Sequence, residues 1–257
     1  VEEGVHVLRD QLAENHVDLL QRTRDEKAQH LANLDDRLQR GDDTVHDRRR
    51  HAAEAVTLVT AMYSLGASYE EMEARAKRIP EILATTRDRL FKPSKSGGSI
   101  VTLLDVGAFV ALFEDQEGAK KLIEVVDRFD VEDFLLDSYI GSVTEHREPS
   151  QKLQPVEIAE ARTVKNPPLY AGQKEAADMA LQGDHAGAAD RLARYVTSEW
   201  YSSHASDFDW VPPERARRVY AGHWCFTAAA TAKVYGIDDT TLQGHERYPW
   251  DLAHPSG

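Results

Sequence analysis

The stretch 219–235 (VYAGHWCFTAAATAKVY) places His223 two residues before Cys225, the only cysteine of the chain. An imidazole and a thiol can act as base and nucleophile when they lie within hydrogen-bond reach of each other. On a helix, however, residues two apart point about 200° away from each other, so this pair cannot form within the segment. A cysteine between Trp224 and Phe226 is more typical of a small buried hydrophobe than of a reactive thiol. An enzyme with a His223/Cys225 pocket is therefore the less favoured alternative.

Other sequence patterns that carry chemistry are absent. The chain has no HExxH, CxxC, GxGxxG, GxxxxGK[ST] or GxSxG motif. His46 and His51 lie near Asp47, and His245 lies near His254. Neither group has the spacing that would place three metal-binding side chains on one face of a helix. We therefore expect no catalytic residue, no cofactor and no metal, and we predict that the protein is not an enzyme.

The charge distribution is more informative than the motifs. The chain carries 44 acidic and 31 basic residues, a formal net charge of −13. Such a protein repels nucleic-acid phosphates, so we expect no direct nucleic-acid contact, whereas a basic protein partner is attracted. Acids are concentrated between residues 105 and 137, a pattern typical of a solvated face on amphipathic helices or, alternatively, of a docking surface for a basic partner. The acids predicted to contact the partner are Glu114, Asp115, Glu117, Glu124, Asp127, Asp130, Glu132, Asp133 and Asp137.

The composition is that of an ordered globular protein, with 41% hydrophobic and 29% charged residues. No apolar run reaches the roughly 20 residues that a membrane-spanning helix needs, and the first residues do not resemble a signal peptide. A single cysteine excludes an internal disulfide and fits a reducing compartment. We expect a cytoplasmic protein without membrane contact, and the sequence leaves a homodimer open.

Apolar residues spaced three and four apart predict an all-α fold. Leucines along 5–40 predict a first helix, and a second helix follows up to Gly66. Ser68 and Glu71 form a capping-box pattern for a third helix, expected to run to about Phe91. The stretch 92–99 (KPSKSGGS) predicts a loop, after which an apolar helix and two short helices are expected.

In the C-terminal third, the sequence predicts a helical hairpin over 171–204. It then predicts a long helix that has Pro212 and Pro213 in its first turn and runs to about Tyr235. The alanines and glycines of this last helix allow close packing, so we expect it to be buried at the centre of its domain. We therefore predict two abutting helical domains in a compact bundle, over residues 1–145 and 155–257.

The last part of the chain resembles the C-terminal domain of the PoNi immunity proteins, the cognate antitoxins of PoNe-type DNase toxins that bacteria deliver into competitors. Residues 58–74 (LVTAMYSLGASYEEMEA) resemble the companion N-terminal domain of that family. Two positions depart from the family pattern, namely Thr227 in place of glutamate and His223 in place of an aromatic residue. The matching positions are Gly222, Trp224, Phe226, Ala228, Ala229, Gly236, Asp238, Asp239, Tyr248 and Pro249.

The resemblance implies an intracellular inhibitor that binds a nuclease and blocks its DNA-binding or active site. An acidic inhibitor fits this role because it competes with DNA phosphates for the basic side chains of the nuclease. Thr227 and His223, four apart on the predicted helix, either share a hydrogen bond inside the fold or contact the toxin and alter specificity. Asp238 and Asp239 are expected to cap a turn. A helical scaffold or adaptor with another basic partner is the alternative function.

Overall fold

The computed structural model describes residues 2–41, 45–85, 98–144, 147–153, 169–204 and 220–255. No strand occurs within these ranges, and the predicted all-α fold is confirmed. The helices are α1 (Glu2–Arg40), α2 (Val45–Ser64), α3 (Tyr69–Ala76), α4 (Ile79–Ala84), α5 (Gly98–Leu112), α6 (Gln116–Phe129), α7 (Phe134–Gly141), α8 (Ala171–Leu181), α9 (His185–Arg194), α10 (Tyr201–His204), α11 (Phe226–Tyr235) and α12 (Trp250–Ala253).

The first two helices pack against each other along their length. Leu20, Leu31 and Leu34 of α1 are buried, as the leucine spacing predicts, and Leu58 and Val59 of α2 are buried as well. This contact, together with contacts to α3, α4 and α5, buries the apolar half of α2, which is too hydrophobic to face water.

The capping box predicted at the start of α3 is present. Ser68 Oγ accepts from the Glu71 backbone N–H at 3.2 Å, and the Glu71 carboxylate accepts from the Ser68 N–H at 3.0 Å. The predicted extension of this helix to about Phe91 is wrong, because α3 ends at Ala76 and α4 begins at Ile79. Pro80 stands in the first turn of α4, where its missing N–H breaks no helical hydrogen bond, so it favours a new start.

The centre of the molecule is formed by α5, α7 and α11. The predicted apolar helix is α5, which begins at Gly98, at the end of the predicted loop 92–99; residues 92–97 of that loop lie outside the described residues. Helix α11 packs against α5 and α7 and is buried from Phe226 to Ala232. The expectation of a buried helix at this place is confirmed.

The hairpin predicted in the C-terminal third is formed by α8 and α9, which turn at Gly183 (φ +82°). Helix α9 continues through a π-helical turn (Tyr195–Trp200) into α10.

The start predicted for the last long helix is wrong within the described residues. Residues 220–225 are not helical, and α11 begins only at Phe226, while Pro212 and Pro213 lie outside the described residues. The Cys225 N–H donates to the Arg247 carbonyl at 2.8 Å, so a distant loop holds this segment in place. The predicted end of this helix is confirmed, since Gly236 follows Tyr235 as the C-cap of α11 with φ +61°. One buried core joins all these helices, and the division into 1–145 and 155–257 stays a prediction.

Candidate functional site

The residues that carry the family resemblance meet where the end of α2 contacts the segment before α11. The Tyr63 ring packs edge-on against Trp224, with 4.7 Å between centroids, and against Phe226, with 5.6 Å. The Tyr63 hydroxyl donates to the Asp251 carboxylate. Because Tyr63 lies in the stretch that resembles the N-terminal domain, both resemblances converge on this contact, which we call the junction.

Ser64, the next residue of α2, completes the junction. Its hydroxyl donates to the Ala221 carbonyl at 2.6 Å and accepts from Trp224 Nε1 at 2.8 Å. Gly222 lies between these two bonds with φ +95°, and a Cβ there would come within 2.1 Å of Ser64 Oγ. Only glycine tolerates both the conformation and the contact. Gly222 and Trp224 therefore have a structural task that explains their place in the motif.

The remaining motif residues are structural as well. Asp238 Oδ1 accepts from the Thr240 N–H at 3.0 Å, which confirms its expected role in the turn. Asp239 instead is buried, accepts a hydrogen bond from the Tyr248 hydroxyl and lies 2.8 Å from His254 Nε2. Capping by the Asp239 side chain was expected from the sequence and is wrong, because this carboxylate is directed into the fold.

Alanines and a proline complete the motif. Ala228 and Ala229 are buried in α11, and Pro249 is buried just before α12.

Thr227, the first departure from the family pattern, is buried at 2% exposure. Gln173 Nε2 donates to Thr227 Oγ1 at 2.9 Å, and Thr231 Oγ1 lies 3.0 Å from Gln173 Oε1. The Tyr139 hydroxyl donates to the Thr227 carbonyl at 2.8 Å. Thr227 therefore belongs to a buried polar network. The alternative in which Thr227 and His223 share a hydrogen bond on one helix face does not hold, because His223 lies before the start of α11.

His223, the second departure, is half-buried between two tyrosines. Its ring centroid lies 5.5 Å from that of Tyr201 and 5.5 Å from that of Tyr220. It lines a surface groove, and Cys225 is not among the residues that line this groove. Cys225 is only 1% exposed, and burial raises the pKa of its thiol to about 12. Cys225 therefore does not take part in the groove that His223 lines, and a thiol with this pKa is not a nucleophile near neutral pH.

Three of the nine acids predicted to contact a partner lie inside the fold. Asp115 and Asp133 are buried N-caps: Asp115 accepts from the Gly118 N–H, and Asp133 accepts from two backbone N–H groups of α7. Asp137 is buried and bonds Arg147 Nε at 2.5 Å. These three carboxylates stabilise the start of α6, the start of α7 and the segment that follows α7, respectively.

The other six acids are exposed, and we call them the acidic surface: Glu114, Glu117, Glu124, Asp127, Asp130 and Glu132.

Most members of the acidic surface have a basic neighbour. Exposed ion pairs join Glu117 to Lys120 at 2.6 Å and Glu124 to Lys121 at 3.0 Å. The hydrogen bond from Lys120 lowers the pKa of Glu117, so this acid is charged at neutral pH. Further ion pairs join Glu114 to Lys233, Asp127 to Arg147 and Glu132 to Lys152.

The backbone turn between α6 and α7 carries two of these acids. Asp130 ends α6 in the left-handed conformation (φ +52°), and this turn leads directly to Glu132 and α7. Sequence reasoning identified the concentration of charge, but it could not separate the exposed acids from the buried caps.

Neither a metal-binding cluster nor a membrane-spanning helix is found in the part of the chain that the structure describes. No group of three or more histidine, cysteine or acidic side chains there is arranged to hold a metal ion. No helix in these ranges has both the length and the apolar character needed to cross a membrane.

These features define an all-helical, acidic protein whose shared motif residues hold the fold together. Residues 131–252 match the family model of the PoNe immunity proteins (PoNi), C-terminal. This confirms the resemblance for that part of the chain, which covers a little under half of the 257 residues. The resemblance of residues 58–74 to the N-terminal domain stays a prediction. No curated protein and no solved structure matches the chain.

The match supports a role as an immunity protein against PoNe toxins in general. It begins at Val131, before α7, and so includes α7, which the sequence assigned to the first domain.

Proposed function

We propose that this protein binds a cognate PoNe-type DNase toxin in the cytoplasm and neutralises it by covering its DNA-binding or active site with the acidic surface. It acts as a stoichiometric inhibitor and performs no chemical step. The observation that carries the proposal is the family match over residues 131–252, together with the net charge of −13.

The physical basis is competition for basic side chains. A nuclease holds DNA through lysines and arginines that contact phosphates, and carboxylates on a rigid surface bind the same groups. Helix α6 supports the acidic surface rigidly, because its other face is buried through Leu122, Val125 and Val126. The backbone that carries Glu117, Glu124 and Asp127 is therefore ordered before the toxin arrives, which lowers the entropic cost of binding.

The lysine partners of the acidic surface do not prevent this exchange. Glu117 is 81% exposed and Lys120 is 61% exposed, and exposed pairs of this kind stabilise a protein by about 0–1 kcal/mol. A toxin arginine forms a bidentate pair with the Glu117 carboxylate, and the interface excludes water from that pair. The new pair is therefore stronger than the exposed pair with Lys120 that it replaces. The net negative charge also accelerates the encounter with a basic partner.

The test is charge reversal of three exposed acids, Glu117→Lys, Glu124→Lys and Glu132→Lys, in one variant. The binding partner is the nuclease domain of the cognate PoNe-type toxin, inactivated by mutation, and affinity is measured by calorimetry at several salt concentrations. We expect at least a tenfold loss of affinity and a weaker dependence on salt.

A matched control separates local contact from overall charge. Asp36→Lys, Glu81→Lys and Asp190→Lys change the net charge equally at exposed positions outside the acidic surface. The proposal requires the control to bind more tightly than the acidic-surface variant. Equal affinity and equal salt dependence of the two variants would remove the acidic surface from the mechanism.

A further inference from the structure

A groove opens beside the junction, between α1, the end of α2, α10 and two loops of the C-terminal part. Four aromatic rings line it, those of Tyr201, Tyr220, His223 and Trp224, together with Leu20 of α1. Its volume is about 110 Å³. A cavity of about 150 Å³ holds a benzene molecule, so this groove has room for one protein side chain.

The interior of the groove is largely apolar. The polar atoms of Trp224 and Ser64 bond each other at 2.8 Å, and the Ser64 hydroxyl also bonds the Ala221 carbonyl. The polar atoms of Trp224 and Ser64 are therefore already hydrogen-bonded, and they require no polar partner from a ligand. An aliphatic or aromatic side chain suits such walls better than a polar one.

The rim of the groove is charged and rigid. The Arg247 guanidinium lies 3.7 Å from the centroid of the Tyr201 ring and pairs with Glu246 at 3.0 Å. The Arg247 carbonyl accepts the Cys225 N–H, so the rim is fastened to the segment before α11. Glu246 is 53% exposed, and its ion pair with its neighbour is of the weak surface kind, which leaves the carboxylate ready to accept a second cation.

We infer that this groove is a second docking point for the toxin, an inference that rests on the proposed function. It takes one apolar side chain of the nuclease, and a lysine or arginine beside that side chain pairs with Glu246. Buried aromatic residues and arginine dominate binding energy at protein interfaces, and the rim carboxylate complements a basic partner. None of the lining residues belongs to α6 or α7, so the groove adds a contact that the acidic surface does not supply.

Two variants test the groove through its rim and its wall. Glu246→Lys reverses the rim charge, and His223→Ala removes one ring. Binding to the inactivated nuclease domain is followed by surface plasmon resonance, and circular dichroism verifies that each variant is folded. We expect each variant to bind at least tenfold more weakly, Glu246→Lys mainly through slower association and His223→Ala mainly through faster dissociation.

Asp190→Lys and His185→Ala are the matched controls, since both residues are exposed on α9 and do not line the groove. If the wild type binds and the groove variants stay within twofold of their controls, the groove is overturned while the proposed function stands. If the folded wild-type protein does not bind the nuclease domain at all, the proposed function itself fails, and the groove inference fails with it.

Discussion

Replacing Ser64 by alanine is the sharpest perturbation of the junction. The change removes one oxygen atom and leaves the helix backbone untouched. It deletes both the 2.8 Å bond from Trp224 Nε1 and the 2.6 Å bond to the Ala221 carbonyl. Trp224 is buried, so its N–H loses its acceptor where water has little access.

The expected cost follows from these two bonds. A buried donor left without a partner costs about 1–3 kcal/mol, and the half-buried Ala221 carbonyl regains part of its loss from water. We expect Ser64→Ala to lower the free energy of unfolding by about 2 kcal/mol. For a protein of this size the melting temperature should fall by about 4–8 °C.

The assay is guanidinium unfolding followed by circular dichroism. Ser202→Ala is the matched control, because Ser202 is exposed on α10 and bonds only carbonyls of its own helical stretch. The control should change the free energy by less than about 0.5 kcal/mol. A double-mutant cycle with Trp224→Phe isolates the bond itself and should give a coupling of about 1 kcal/mol.

Two results would refute this reasoning. One is a Ser64→Ala variant as stable as the Ser202→Ala control. The other is strict additivity of Ser64→Ala and Trp224→Phe, since it would mean that the two side chains do not stabilise each other.

Three further predictions concern buried groups. Burial lowers the pKa of His204 to about 4 from 6.5, so the unfolded chain binds the proton first. The contribution of His204 to stability should be constant above pH 6.5 and fall toward pH 4, by at most about 1.4 kcal/mol per pH unit, and His204→Asn should lack this part of the pH dependence. The pKa of Asp105, which burial raises, contributes a change of opposite sign over the same range, so the comparison of the two proteins is what isolates His204. Cys225 should not react with a thiol reagent in the native protein but should react once in denaturant. Thr227→Val should cost about 1–3 kcal/mol, because the buried Gln173 amide loses its 2.9 Å acceptor.

Each of these three predictions would be contradicted by one specific result. An unchanged pH slope in His204→Asn would show that this histidine titrates normally, and rapid native labelling would show that the Cys225 thiol is accessible. Thr197→Val is the control for Thr227, since Thr197 is exposed and its hydroxyl bonds only nearby groups, the Ala193 and Arg194 carbonyls and the Ser198 hydroxyl. Equal stability of the two valine variants would mean that the buried network contributes nothing.

Local signals in the sequence predicted much of the helical fold. The capping box at Ser68 and the glycine stop at Gly236 depend on residues within a few positions, and both are present. The segment 220–225 was predicted as helix because its small residues suit one. Its actual conformation depends on Ser64, 157 positions before Ala221, which no local pattern reports.

The candidate site was predicted less completely. Charge counts identified the acids between α5 and α7, but burial decides which of them face water. Asp133 was knowable as an N-cap from its place before an apolar helix, whereas the ion pair of Asp137 with Arg147 needed the folded chain. The rim residues Glu246 and Arg247 carry no motif, so sequence reasoning missed them.

The central claim is tested most directly by co-expression in a bacterial host. The active nuclease domain of the cognate PoNe-type toxin is induced with or without this protein, and growth and chromosomal integrity are recorded. The proposed function predicts that this protein restores growth and keeps the DNA intact against that nuclease, and not against an unrelated one. Arrested growth and degraded DNA, despite soluble and folded protein in the same cells, would contradict it.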